Sequence, residues 1–148
     1  MERKVVPASL DRVWAVVSDT SRYGEWVDAV VEVLDHHGTA EVGKTYSEIN
    51  KTLGPLTTRS TWTVREIEQM RRRVDTGTGF APLQDMTNVF EFRACDGGVE
   101  MTYAVSYRVG LGPLGGLVHR VTSTSTRRGM RKSLESLSDL LIAEGSIG

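Results

Sequence analysis

The chain has 148 residues, 39% apolar and 25% charged, an ordinary balance for one domain that can bury a core without a disulfide or a structural metal. Lys and Arg total 18 against 19 Asp and Glu, a formal net charge of −1, so no long-range field gathers nucleic acid and none is expected as a partner. Cys95 is the single cysteine, which excludes an intrachain disulfide and a thiolate cluster. No apolar run approaches the roughly 20 residues of a membrane span or the core of a signal peptide, so the expectation is a cytoplasmic protein without stable membrane insertion.

In chain order, residues 1–6 read as a short strand ended by Pro7, which suits a sheet edge because proline offers no N–H to a ladder. Ser9 is an N-cap and Asp11 a first-turn acid for a helix. Its Leu10, Val13, Trp14 and Val17 recur at the i, i+3, i+4, i+7 spacing. Asp19-Thr20-Ser21 breaks that helix, and residues 21–26 form one further turn. From Val27 the period becomes alternating. Strands are predicted over residues 27–37, 44–51, 56–68, 71–76, 84–94 and 99–109, punctuated by Gly38, Leu53-Gly54-Pro55, the loop 77–82 and Asp96-Gly97-Gly98. The Asp-Gly pair marks a hairpin, with the second glycine allowing a longer loop.

The last two strands show the pattern most cleanly. Val99, Met101, Tyr103, Val105, Tyr107 and Val109 alternate with Glu100, Thr102, Ala104, Ser106 and Arg108, and Met86, Asn88, Phe90 and Phe92 share one face of the strand before. One face is therefore buried and the other wet. In the third predicted strand of this run, Leu56, Thr58, Ser60, Trp62 and Val64 share a face. Beyond Gly110-Leu111-Gly112-Pro113-Leu114-Gly115-Gly116 the period is helical again, with an early stripe of Leu117, Val118 and Val121 and a later one of Met130, Leu134, Leu137 and Leu141. Residues 121–126, Val-Thr-Ser-Thr-Ser-Thr, are weak helix formers that tertiary packing must hold helical unless the helix bends there.

A run of strands followed by one long helix predicts an α+β fold. Its antiparallel sheet of about six to seven strands would wrap around the C-terminal helix, with two short helices after the first strand, as one domain over residues 1–148. A broad, curled sheet closed by one narrow helix leaves a hollow between them.

The opening Val6-Pro7-Ala8-Ser9-Leu10-Asp11-Arg12-Val13-Trp14, then Asp19, then Tyr23-Gly24-Glu25-Trp26, resembles the start of the START-like superfamily, also called the SRPBCC, polyketide cyclase and lipid-transport, or Bet v 1-like group. The segment Gly110-Leu111-Gly112-Pro113-Leu114-Gly115-Gly116-Leu117 resembles its other recurrent stretch, so the likeness runs in order along nearly the whole chain. The resemblance implies a helix-grip fold with a deep pocket for lipids, polyketides, sterols or other hydrophobic ligands. It implies no particular reaction, since catalytic and non-catalytic members share the fold.

By strand parity, the expected ligand-binding residues are Trp62, Asn88, Phe90, Met101, Tyr103 and Tyr107, joined by Leu117 and Val121 from the helix. Trp62 stands beside the small hydroxyls of Thr58 and Ser60, which suits pocket lining and core packing equally. Tyr103 and Tyr107 need partners for buried hydroxyls, either backbone carbonyls or a ligand oxygen, and Asn88 needs the same among aromatics. Trp14 and Trp26 read as core anchors. Tyr46, Glu48 and Asn50 share one face of the second predicted strand of the run, expected to lie outward or at a rim; were it inward, burial would raise the Glu48 pKa. His36 and His37 point to opposite faces and His119 is distant in sequence, so no metal site is expected, and no cofactor. Arg71-Arg72-Arg73 and the Arg127, Arg128, Arg131 and Lys132 cluster read as solvated faces, and the glycines of 110–116 as hinge and turn residues.

Three functions follow. The first is a module that binds a small hydrophobic molecule in the hollow. The second is a cyclase, aromatase or dehydratase using the same hollow, for which no acid–base pair stands out. The third is a partner-binding module with a vestigial pocket. A homodimer is the one assembly left open.

Overall fold

The computed structural model describes residues 1–35, 38–51, 55–80, 83–110 and 112–147. Strand β1 (Glu2–Val6) is followed by helix α1 (Leu10–Ser18), a 3-10 turn (Thr20–Arg22) and the short helix α2 (Tyr23–Trp26). Strands β2 (Val30–Leu34), β3 (Thr45–Lys51), β4 (Thr57–Glu68), β5 (Arg72–Thr78), β6 (Leu83–Cys95) and β7 (Gly98–Val109) come next. A second 3-10 turn (Gly112–Leu114) leads into helix α3 (Gly115–Ile147). The seven strands form one antiparallel sheet in the order β1-β7-β6-β5-β4-β3-β2, so β1 does lie at an edge. Helix α3 packs on β1, β7 and α2, giving the helix-grip architecture.

Local chemistry explains the boundaries. Ser9 accepts a hydrogen bond from the Arg12 N–H and caps α1, while the Asp19 carboxylate accepts from the Ser21 N–H and starts the 3-10 turn. Strand β2 is shorter than residues 27–37. The Val27 N–H closes α2 on the Tyr23 carbonyl and Val30 bonds back to Val27, so residues 27–29 are a turn. His36 and His37, the segment 52–54, Ala81, Pro82 and Leu111 lie outside the described residues. The β6–β7 hairpin pairs Cys95 with Gly98 across a two-residue Asp96-Gly97 loop. Gly98 has φ +143°, and a Cβ there would fall 2.0 Å from the Val6 carbonyl oxygen of the neighbouring edge strand. Leu56, grouped by parity with Trp62 and Val64, precedes β4 and is exposed.

The core collects the inward faces of β6 and β7, the apolar face of α1 and the later stripe of α3. Met130, Leu134, Leu137 and Leu141 are all buried, and Trp14 meets Phe92 edge to face at 5.2 Å. Trp26 is buried against Phe90 and Tyr23, as an anchor should be. Arg73 overturns the reading of its triplet as a solvated face, for it is 1% exposed and ion-paired with Asp75, which is 0% exposed. Residues two apart on a strand share a face, so the pair is set by β5 itself. The Arg73 Nε donates to Asp75 Oδ1 at 2.9 Å, its Nη1 donates to the Val17 carbonyl at 3.0 Å, and the Tyr46 hydroxyl donates to Asp75 Oδ2. The guanidinium lies within 6 Å of the Tyr23, Tyr46 and Phe90 ring centres, at 5.5, 5.9 and 5.6 Å.

Arg73→Leu strands Asp75 without its cation and is expected to destabilise the fold by about 3–5 kcal/mol, whereas Arg73→Leu combined with Asp75→Leu recovers most of that loss. Urea unfolding reads both; a single-variant loss below about 1 kcal/mol would remove the pair from the structural account.

Candidate ligand cavity

Between the sheet and α3 lies a hollow of about 390 Å³, within the range of small-molecule sites. Its sheet wall comes from Trp62 on β4, Met86, Asn88 and Phe90 on β6, and Tyr103 and Val105 on β7. Its helix wall is Ser125, Thr126, Gly129, Met130 and Ser133. These are mostly small, which is why the space stays open opposite the bulky strands. Ser125 and Thr126 bring the end of the run of weak helix formers onto this wall. The Asp28 N–H donates to the Ser133 hydroxyl at 2.9 Å and fastens the turn before β2 to that wall. Exposure sets the direction: Tyr23, Glu48, Trp62 and Phe90 are buried, whereas Asp28, Lys51 and Ser125 reach solvent at the mouth.

Glu48 corrects its expected outward placement. It is 5% exposed and, with Tyr46 and Asn50, faces inward. Its Oε1 accepts from the Trp62 Nε1–H at 2.8 Å and from the Asn50 amide at 3.0 Å, while the Asn50 carbonyl oxygen accepts from the Ser60 hydroxyl. Cross-strand pairing explains the cluster, since Tyr46 lies opposite Trp62 and Glu48 opposite Ser60. The Trp62 ring in turn lies over Gly77, its partner on β5, where a Cβ would come within 2.8 Å of three ring carbons. Burial pushes the Glu48 carboxyl above its ordinary value of 4.5, against the opposing pull of the Asn50 and Trp62 hydrogen bonds. Burial likewise raises the Tyr23, Tyr46 and Tyr103 phenols, which stay protonated as donors.

Several polar groups at this end have no protein partner at ordinary hydrogen-bond geometry. The Tyr23 hydroxyl is fully enclosed, with the Tyr46 hydroxyl nearby but not at such geometry. Among the described residues, no hydrogen bond is made by the side chains of Tyr103 or Asn88.

Four of the residues expected at the site, Trp62, Asn88, Phe90 and Tyr103, line this hollow. The other four do not. Met101 is 0% exposed in the core, opposite Phe92 and Lys4 in the sheet. Tyr107 lines a separate hollow of about 260 Å³, where its hydroxyl and His119 Nδ1 both bond to the Ser123 hydroxyl, at 3.0 and 3.3 Å. Leu117 and Val121 are 63% and 62% exposed on the outside of α3. Val121 precedes the buried Met130 by roughly two and a half helical turns, which turns it away from the sheet, and Leu117 is one turn further along that outer side. Tyr23, Glu48, Asn50 and the small residues of α3 are the lining that strand parity missed. No cluster of His, Cys, Asp or Glu suited to a metal occurs among the described residues. No helix there is long and apolar enough to cross a membrane.

The fold recurs widely. The chain superposes on a protein from Thermus thermophilus with a TM-score of 0.80 at 14% identity, covering 97% of this chain and 96% of that one. It superposes on Ara h 8.0201 with a TM-score of 0.68 at 15% identity, covering 96% and 95%. For DynU16, a protein in the dynemicin biosynthetic locus, the TM-score is 0.65 at 15% identity, covering 95% of this chain and 45% of that one. At such identities the likeness is one of fold. No curated protein matches the sequence. The family model described as polyketide cyclase / dehydrase and lipid transport matches residues 1–141, and the chain, with its seven-stranded sheet gripping α3, belongs to that family.

Proposed function

We propose that the protein binds one small, largely apolar molecule in the hollow between the sheet and α3. The observation that carries this reading is a space of about 390 Å³ walled by aromatic and apolar side chains, with unpartnered polar groups at its buried end. Burial of ligand surface at about 25 cal/mol per Å² would supply the affinity. Tyr103, Asn88 and Tyr23 would orient the molecule. A second reading, a cyclase, aromatase or dehydratase, is favoured by one feature: Glu48 lies inside the hollow with the Tyr103 and Tyr23 phenols on the same lining. A carboxyl of raised pKa among protonated phenols is a group able to move protons to and from a bound carbonyl compound.

Mass spectrometry after gentle purification should find a retained apolar molecule, or titration with aromatic ketones should saturate at one site per chain. An empty protein that binds none of them would refute the reading.

Gly129→Leu separates binding from folding. Gly129 lines the hollow, and a Cβ there meets its nearest neighbour, Asp28 Oδ2, at 3.9 Å. Leucine favours a helix over glycine by roughly 0.5–1 kcal/mol, so the melting temperature should hold or rise while binding falls at least tenfold as the side chain fills the space. Tyr103→Phe removes a hydroxyl that has no protein partner among the described residues. Its stability should stay close to wild type, and its affinity for an oxygenated ligand should drop about fivefold to tenfold, the worth of one neutral hydrogen bond. Paired calorimetry and thermal melts check both.

A further inference from the structure

Glu48 is the one carboxyl at the buried end of the hollow, and its two oxygens are treated unequally. Oε1 receives both available donors, Trp62 Nε1 at 2.8 Å and Asn50 Nδ2 at 3.0 Å. The Asn50 carbonyl oxygen accepts from the Ser60 hydroxyl, which leaves the amide nitrogen aimed at Glu48. Oε2 receives no hydrogen bond among the described residues, and Glu48 lines the cavity. No cation is ion-paired with it among the described residues, and the pull of Arg73 is opposed by the Asp75 charge. Arg73 is committed to Asp75 and the Val17 carbonyl, Lys51 sits exposed at the mouth, and no ion pair of the described residues includes Glu48. A second, independent feature points the same way: the enclosed Tyr23 hydroxyl lines the same space and has no partner at ordinary hydrogen-bond geometry.

We propose that Glu48 serves this site as a neutral carboxylic acid, whose Oε2–H donates a hydrogen bond to an uncharged acceptor oxygen, a ketone, quinone, ester or amide carbonyl, at the leading end of the ligand. The pattern of donors fixes where the proton sits. Oε1, holding two N–H groups, plays the carbonyl, and Oε2 is left as the hydroxyl. With the Tyr103 and Tyr23 phenols on the same lining, the buried end is rich in donors and poor in free acceptors. It therefore selects neutral oxygenated ligands, and it rejects a carboxylate head group, which would face Glu48 with no cation to balance it. This assignment rests on the cavity being the binding site.

Affinity for a neutral ketone should then fall as pH rises. The proton is present below the Glu48 pKa, which burial raises above 4.5, and is lost above it. The other charged or titratable groups around Glu48 are Tyr46 on its own strand, Arg73 and Asp75 on β5, Tyr103 on β7 and Tyr23 on α2, with Asp28 and Lys51 at the mouth. Helix α3 contributes to the lining only the uncharged Ser125, Thr126, Gly129, Met130 and Ser133.

The test is calorimetric titration of the full chain with four probes of one size: acetylnaphthalene, ethylnaphthalene, naphthoate and naphthylmethylamine. The expected order has the ketone about tenfold tighter than the hydrocarbon, one hydrogen bond's worth, with naphthoate weakest. Ketone affinity should decline with rising pH in the wild type. In Glu48→Gln, whose amide still donates from the same place, it should be retained and independent of pH. Glu91→Gln, at an exposed carboxyl on the outer face of β6 away from the hollow, should leave the wild-type profile unchanged. Loss of ketone binding in Glu48→Gln, an affinity that rises with pH, or a preference for the amine would overturn the neutral-acid role in favour of an ionised carboxylate. If the four probes bind equally, the role of Glu48 falls while the cavity stands. If none binds, the cavity reading falls and takes this inference with it. Should Glu48→Gln fail to fold, the pH profile and probe order of the wild type decide alone.

Discussion

Arg73 and Asp75 sit two residues apart on the central strand of the sheet, and neither reaches water. Taking two charges out of solvent costs several kcal/mol each, a penalty offset only when nearly every donor and acceptor finds a partner. Here the partners come from three directions. Tyr46 reaches in from β3, the Val17 carbonyl comes from the end of α1, and the rings of Tyr23 and Phe90 flank the guanidinium. The C-terminal carbonyls of α1 carry partial negative charge, so a cation beneath that end is well placed. The pair therefore fixes where α1 lands on the sheet. Because Tyr46 is two residues from Glu48, it also fixes which face of β3 turns inward.

From that anchor the cavity follows. With the Tyr46 face inward, Glu48 and Asn50 must be inward too, and the cross-strand partners Trp62 and Ser60 are the groups that can satisfy them. The aromatic residues of the site belong to the strands, to α2 and to Phe80 after β5, whereas α3 offers, beside Met130, only serine, threonine and glycine. This asymmetry keeps the space from being filled by the protein itself. Further along α3, Leu134, Leu137 and Leu141 close the other end completely.

Most of the architecture was legible in the sequence because its strongest signals are periodic. The alternation in β6 and β7 and the four-residue stripe from Met130 to Leu141 each have one physical solution, and Trp62, Asn88, Phe90 and Tyr103 fall on the cavity side by parity alone. The misses are places where period and polarity disagree. In β3, Ser47, Glu48 and Asn50 are all buried, so polar residues occupy both faces and no hydrophobic count can tell them apart. Arg73 looked like the other arginines of its triplet, exposed Arg71 and half-buried Arg72. The signal that could have found it is Asp75, its same-face neighbour of opposite charge. Leu117 and Val121 failed through helical phase: apolar residues at a helical spacing need not share the face of a stripe many residues away.

The two halves of α3 are bound to the rest of the molecule very unequally. After Met130 the helix is nailed down by buried leucines, while the preceding half is built from weak helix formers, largely exposed and anchored mainly through small side chains. Local opening free energies along one continuous helix should therefore descend toward its N-terminal end. The empty space lies where the two halves meet, under Ser125 to Ser133, so the helix passes from loosely to firmly held directly above it.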